Sequence, residues 1–260
     1  MIRALLVRGM LAGLAGGIVA TVFAWFIGEP QIRDAIGFEE GHAAEGGHEH
    51  AAVTGGHVHD AAEVVVSRGV QETLGLSVAL TLFGVAIGGI FALVFAGFHG
   101  RLGALTARPT AALVAGGGFV VVGLAPFLKY PANPPAVGEE DTVGDRTALY
   151  LAMIAISVVA AVVAAQTGRR LAARLGGWNA VVTGGAVFAV LVGVAYLALP
   201  TVNEVPADFP AAVLWRFRLA SLGTQAVVWT VLGLVFGALA ARVLDRESVR
   251  SNELPAMTNT

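Results

Sequence analysis

Apolar residues fill long unbroken stretches of this chain, and polar residues gather between them. Six stretches stand out, at about residues 9–28, 74–98, 110–128, 148–167, 179–199 and 219–241, and none of them contains Asp, Glu, Lys or Arg. A helix crosses a bilayer with roughly 20 mostly apolar residues. The pattern therefore predicts an all-α integral membrane protein, a bundle of six transmembrane helices over 1–245. A disordered tail over 246–260 follows. The first stretch comes after Arg3 and Arg8 and shows no small-residue cleavage pattern before Glu29-Pro30. It exceeds the about 7–15 residues of a signal core, so it reads as a retained span.

Charge placement predicts orientation. Ten of the sixteen basic residues flank the helix ends on the N-terminal side, among them Arg101, Arg108, Arg169, Arg170, Arg174, Arg242 and Arg246. Positive residues favour the cytoplasmic side. Both termini are expected in the cytoplasm of a multi-pass plasma-membrane protein, with the segments around 29–73, 129–147 and 200–218 outside. Composition agrees: 13% charged residues and a mean hydropathy of +0.76 lie far from the about 25% charge of soluble domains. The net charge of −2 offers no basic surface for nucleic acid. No cysteine is present, which removes thiolate metal sites and disulfides.

A shift of 70 residues lays "VVVGLAPFLKYPANPP" (120–135) over "VLVGVAYLALPTVNEV" (190–205). This suggests an internal parallel repeat in which helices two and three duplicate as four and five, a known transporter construction. Its chemical content is Asn133 and Asn203, each close to prolines at a helix end. Glycine pairs four apart, Gly13/Gly17, Gly84/Gly88 and Gly233/Gly237, have the spacing of close helix packing.

Three stretches carry candidate chemistry. In "GHAAEGGHEHAAVTGGHVHD" (41–60) lie His42, His48, His50, His57 and His59, five of the six histidines, with Asp60 beside them. Neutral imidazole suits Zn, Cu, Ni, Co and Fe without choosing among them. The interspersed glycines favour a loop that captures and releases metal over a rigid cage. In "KYPANPPAVGEEDTVGDRTALY" (129–150), prolines stop the third helix. Glu139, Glu140, Asp141 and Asp145 follow, able to concentrate cations at a pore mouth or to serve as an ordinary acidic loop. Tyr130 and Arg146 flank them. In "PADFPAAVLWRFRLASLGTQAVVW" (206–229), Arg216 and Arg218 head the last helix. Arg218, Ser221, Thr224 and Gln225 share about one face, a polar stripe that can line a path or merely snorkel at the interface. Glu29, Glu204 and Asp208 are candidate acid partners for the arginines. The chain has one lysine and no nucleotide-binding P-loop, zincin or serine-hydrolase motif, so no enzyme is expected.

The stretches "FLKYPANPPAVGEEDTVGDRTALYLAM" (127–153) and "LWRFRLASLGTQAVVW" (214–229), with the glycine-rich first helix, resemble the CbtA family of predicted cobalt transporter subunits. The resemblance spans nearly the whole chain before about 245. It implies uptake of Co²⁺ as a transported ligand, with Ni²⁺ or Zn²⁺ as alternatives and no tightly bound cofactor, and it implies a small single-span membrane subunit as partner. Tyr130, Asn133, Pro134, Asp141, Arg146, Arg216, Arg218 and Gln225 stand in the matching stretches. Large subunits of that family are often described with five spans and leave the histidine motif to the small partner. This chain carries its own histidine segment. A membrane-anchored metal sensor or buffer that does not transport is the competing reading, and a metal-dependent membrane enzyme ranks behind both.

Overall fold

The computed structural model describes residues 2–46, 68–101, 103–135 and 137–257. Helix α1 (Ile2–Phe23) passes through a π-helical turn, Ala24–Gly28, into α2 (Glu29–Gly46). Helix α3 covers Arg68–Phe98 and α4 covers Ala107–Gly118. A second π-helical turn, Phe119–Leu124, joins α4 to the short α5 (Ala125–Lys129). Each wide turn comes just before a proline, Pro30 or Pro126. A proline ring clashes with the carbonyl four residues back and removes its hydrogen bond, and a widened turn moves that carbonyl aside. Tyr130 then leaves helical geometry (φ −127, ψ 78) ahead of Pro131. A 3-10 turn, Glu140–Thr142, leads into α6 (Val143–Ala198), and α7 covers Ala211–Met257. Helical backbone thus continues through 246–257, where the composition suggested a disordered tail.

The expected count of six spans is corrected here: among the described residues, five helices are long and apolar enough to cross a membrane, within Ile2–Phe38, Leu74–Phe98, Ala107–Lys129, Val143–Ala198 and Ala211–Asp245. The stretches at 148–167 and 179–199 form the two helical arms of a single long element. Both belong to α6, whose 56 residues are interrupted by non-helical backbone at Gly176 (φ 77, ψ 162). A positive φ of this kind suits glycine. At Gly176 the element doubles back, so that Gly184 faces the carbonyl of Ala164 and Gly168 faces that of Ala180. The repeat is not expressed as equivalent elements either. α3 and α4 are distinct helices joined through 99–106, while their supposed copies are two arms of α6. The π-helical turn at 119–124 has no counterpart at 189–194, which is α-helical.

Glycine placement explains the packing. Gly9, Gly13 and Gly17 of α1 meet Gly84, Gly88 and the Leu80 carbonyl of α3, with backbone lying against backbone. Gly233 and Gly237 let α7 approach Ala111, Ala115 and Arg108 of α4. Without a hydrophobic drive between helices in lipid, such close approach supplies the dispersion contacts. Around it the core closes on Leu5, Phe91, Phe95, Trp229, Leu232 and Phe236. The ring of Phe236 stands edge-on to Phe91 and Phe95 at 5.1 and 4.9 Å. A second cluster, with Tyr130, Met153, Ala160 and Val192, holds α6 to the α5 end. A third joins Ala35 of α2 to Val137 and Phe209. Large apolar side chains such as Phe26, Trp178 and Leu197 stay exposed, as lipid-facing positions require.

Candidate functional site

A concavity with a partly polar lining lies at one end of the bundle, where three separated parts of the chain are tied together. The end of α5 and the proline turn form the first part. Lys129 Nζ donates to the carbonyl of Tyr196 at 2.8 Å, and Tyr130 Oη donates to that of Pro200 at 2.8 Å. Tyr196 Oη returns a hydrogen bond to the carbonyl of Ala125. These three bonds fasten α5 to the far arm of α6 and the segment after it. From the third part, α7, Arg218 reaches across. Its Nε donates to the Ala132 carbonyl at 3.3 Å and its Nη2 donates to Asn133 Oδ1 at 3.0 Å.

The start of α6 closes the ring. Arg146 Nη1 pairs with Glu204 Oε2 at 3.3 Å, with both side chains mostly buried. Arg146 Nη2 also donates to the Glu139 carbonyl, and the Glu139 N–H donates to Glu204 Oε2, each at 3.2 Å. The loop passes this close to the guanidinium because residue 138 is glycine. Gly138 has φ 108, and a Cβ there would overlap the Arg146 guanidinium. Burial pushes the Tyr130 phenol above its usual value near 10, so it remains a neutral donor.

The cavity between these parts, open on one side, holds about 410 Å³. Of the residues proposed from sequence, Tyr130, Asn133, Arg146, Asn203, Arg218 and Gln225 line it together. Gln225 lies seven residues below Arg218 on α7, about 10 Å deeper at 1.5 Å per residue, and its Oε1 rests against Gly123 of the π-helical turn. Ser221 lies between them in the lining, whereas Thr224 turns its hydroxyl to the Ala220 carbonyl of its own helix.

The acids do not gather where a pore mouth would need them. Glu139, Asp141 and Asp145 are exposed to solvent and do not line the cavity. Arg216 is exposed and also outside the lining. The cavity's carboxylate is Glu204, considered from sequence only as a partner of Arg216 or Arg218 and found paired with Arg146. Tyr150, Thr147 and Ser221 complete the polar lining. No sequence signal singled out Tyr150, one turn beyond Arg146 on α6.

Among the described residues, no three His, Asp or Glu side chains converge as a metal would require. His48, His50, His57, His59 and Asp60 lie outside the described residues. His42 falls within α2, a helix that continues past Pro30 rather than opening into a loop at 41.

Neither the curated proteins nor the solved structures provide a match to this chain. One family pattern does match, described as "Probable cobalt transporter subunit (CbtA)", and it covers residues 2–241. A bundle of long apolar helices matched over that length places this chain in the CbtA family.

Proposed function

We propose that this protein is the membrane-spanning component of an uptake system for a divalent transition-metal cation, with cobalt as its physiological cargo. The observation that carries the reading is the cavity shared by 130–146, 203–204 and 218–225. It is a polar chamber at one end of an otherwise apolar bundle, in a chain whose family is described by cobalt transport. In the orientation suggested by the arginines, both termini are cytoplasmic and the chamber opens outward. The segment 41–60 then acts as a collecting arm, because its imidazoles ligate M²⁺ in the neutral form and release it easily. Tyr130, Asn133, Asn203 and Gln225 supply neutral oxygen and amide groups from mouth to floor. A small single-span subunit is the expected partner.

Uptake of labelled Co²⁺ tests this. Cells producing the protein should accumulate the label above cells lacking it at limiting metal, and Gln225→Leu should abolish most of the difference. Equal accumulation with and without the protein would end the reading. The arm has its own test. Replacing His42, His48, His50, His57 and His59 by alanine should raise the Co²⁺ concentration for half-maximal uptake and leave the maximal rate nearly intact. Acidification through about pH 6.5 should reproduce that change, since protonated imidazole cannot ligate. A lost maximal rate would instead assign the arm to the crossing step.

A further inference from the structure

Resting on the reading of this cavity as the uptake site, we propose that it recognises a small polycarboxylate anion carrying the cation, rather than the water-shelled ion itself. The charge balance points this way. Among the described residues that line the cavity there are two guanidinium groups, Arg146 and Arg218, and one carboxylate, Glu204. That carboxylate is already engaged by Arg146 and by the Glu139 N–H. Among the described lining residues a bare dication would face a net positive chamber, and Glu139, Asp141 and Asp145 lie outside that lining.

Donor geometry agrees. The Nε of Arg146 is buried and has no hydrogen-bond partner among the described residues. Arg218 uses Nε and Nη2 on Ala132 and Asn133, which fixes its guanidinium in the cavity wall. An arginine held by its other nitrogens presents a fixed donor, which is the arrangement that selects carboxylates. The hydroxyls of Tyr150 and Ser221 and the amide of Asn203 also line the space.

Shape agrees as well. The cavity of about 410 Å³ falls in the roughly 300–1,000 Å³ range of organic-ligand sites, which combine apolar walls with a few placed polar groups. Phe127, Tyr130, Val137 and Val205 provide such walls here. A cation stripped of its water shell needs several oxygen ligands around it, and these walls do not supply them.

The test uses the full-length protein in nanodiscs, with citrate, equimolar Co²⁺–citrate and Co²⁺ alone as the probes. Citrate-containing probes should bind saturably. Arg218→Gln should weaken them at least about tenfold, the loss of one charge-assisted hydrogen bond, and Arg218→Lys should retain part of the affinity. Thermal unfolding of each variant separates lost binding from lost structure. Glu204→Gln gives the decisive sign. Removing the cavity's carboxylate should leave citrate binding as strong or stronger, whereas a bare-cation site would lose affinity. Equal binding of citrate and Co²⁺–citrate assigns recognition to the carboxylates alone, and tighter binding of the complex assigns it to the chelate. Both support the proposal. Binding of Co²⁺ alone that falls in Glu204→Gln, with citrate unbound, overturns it. Uptake separates the two ideas. Transport of Co²⁺ without any citrate binding sinks this inference and spares the transporter, while citrate binding without Co²⁺ uptake does the reverse.

Discussion

Gly138 shows how one residue sets the site. Its positive φ and the guanidinium beside it leave no place for a Cβ. Gly138→Ala should cost about 1–2 kcal/mol from backbone strain alone and displace Arg146. The expected outcome is a lower melting temperature in detergent together with loss of uptake. A variant that melts and transports normally would show that the loop has freedom the structure denies it. The Arg146–Glu204 pair makes a different demand, because removing one partner leaves a mostly buried charge without its counterpart. Arg146→Met and Glu204→Gln should each destabilise, and the double variant should cost less than the sum of the two, with a coupling of about 1–3 kcal/mol in a double-mutant cycle. Tyr130 adds a pH signature. The folded state holds its phenolic proton more tightly than the unfolded chain does. Its contribution to stability is therefore complete below about pH 10 and declines as pH rises past that value. Melting temperatures from pH 8 to 11 should fall, and Tyr130→Phe should remove part of the fall.

Among the elements, α1 and α3 depend on glycine as surface rather than as turn. A Cβ at Gly13 would meet the carbonyl of Gly84, and one at Gly88 would meet that of Gly9. Overpacking of this kind costs about 1–3 kcal/mol per site. Gly13→Ala should lower the melting temperature and Gly13→Leu should prevent α1 from docking. Gly193→Ala on α6 has nothing within 4 Å of its new methyl and should be neutral or slightly stabilising, by up to about 1 kcal/mol. Comparing the three by thermal unfolding separates packing from propensity. The glycine spacing was visible in the sequence. Which helices it joined was not, because identical spacings on α1, α3 and α7 admit several pairings. The two π-helical turns were legible only in part: Pro30 and Pro126 mark a disturbed helix, yet a proline pattern cannot say whether the helix ends, kinks or widens.

For the molecule as a whole, the energetics of crossing follow from what enters. A dication moving into a cell gains about 4.6 kcal/mol per 100 mV of membrane potential, at about 2.3 kcal/mol per charge. The chain has no nucleotide-binding loop of the P-loop type to supply ATP energy. If the carboxylate ligand is left behind and the cation alone crosses, collapsing the potential with an ionophore should cut Co²⁺ uptake sharply. Uptake that persists or rises would show an anionic complex crossing intact, since that species moves against the field.

Length and polarity alone determined the membrane class, the all-α content and the stretches that carry polar groups. Those properties depend on local hydrophobicity, which a bilayer reads residue by residue. The same reading separated the two arms of α6 at the polar residues near 168–178, and hydropathy alone does not show that the helical backbone runs on to a turn at Gly176. The site was legible residue by residue at Tyr130, Asn133, Arg146, Asn203, Arg218 and Gln225. Its sign was not. Counting acids near 139–145 left a cation-attracting mouth and an ordinary acidic loop both open, and only the tertiary structure exposed Glu139, Asp141 and Asp145 and set Glu204 against Arg146. Sequence distance hid that pairing, since residues 58 apart meet only after α6 folds back. The charge a ligand meets in the cavity was therefore decided by the fold.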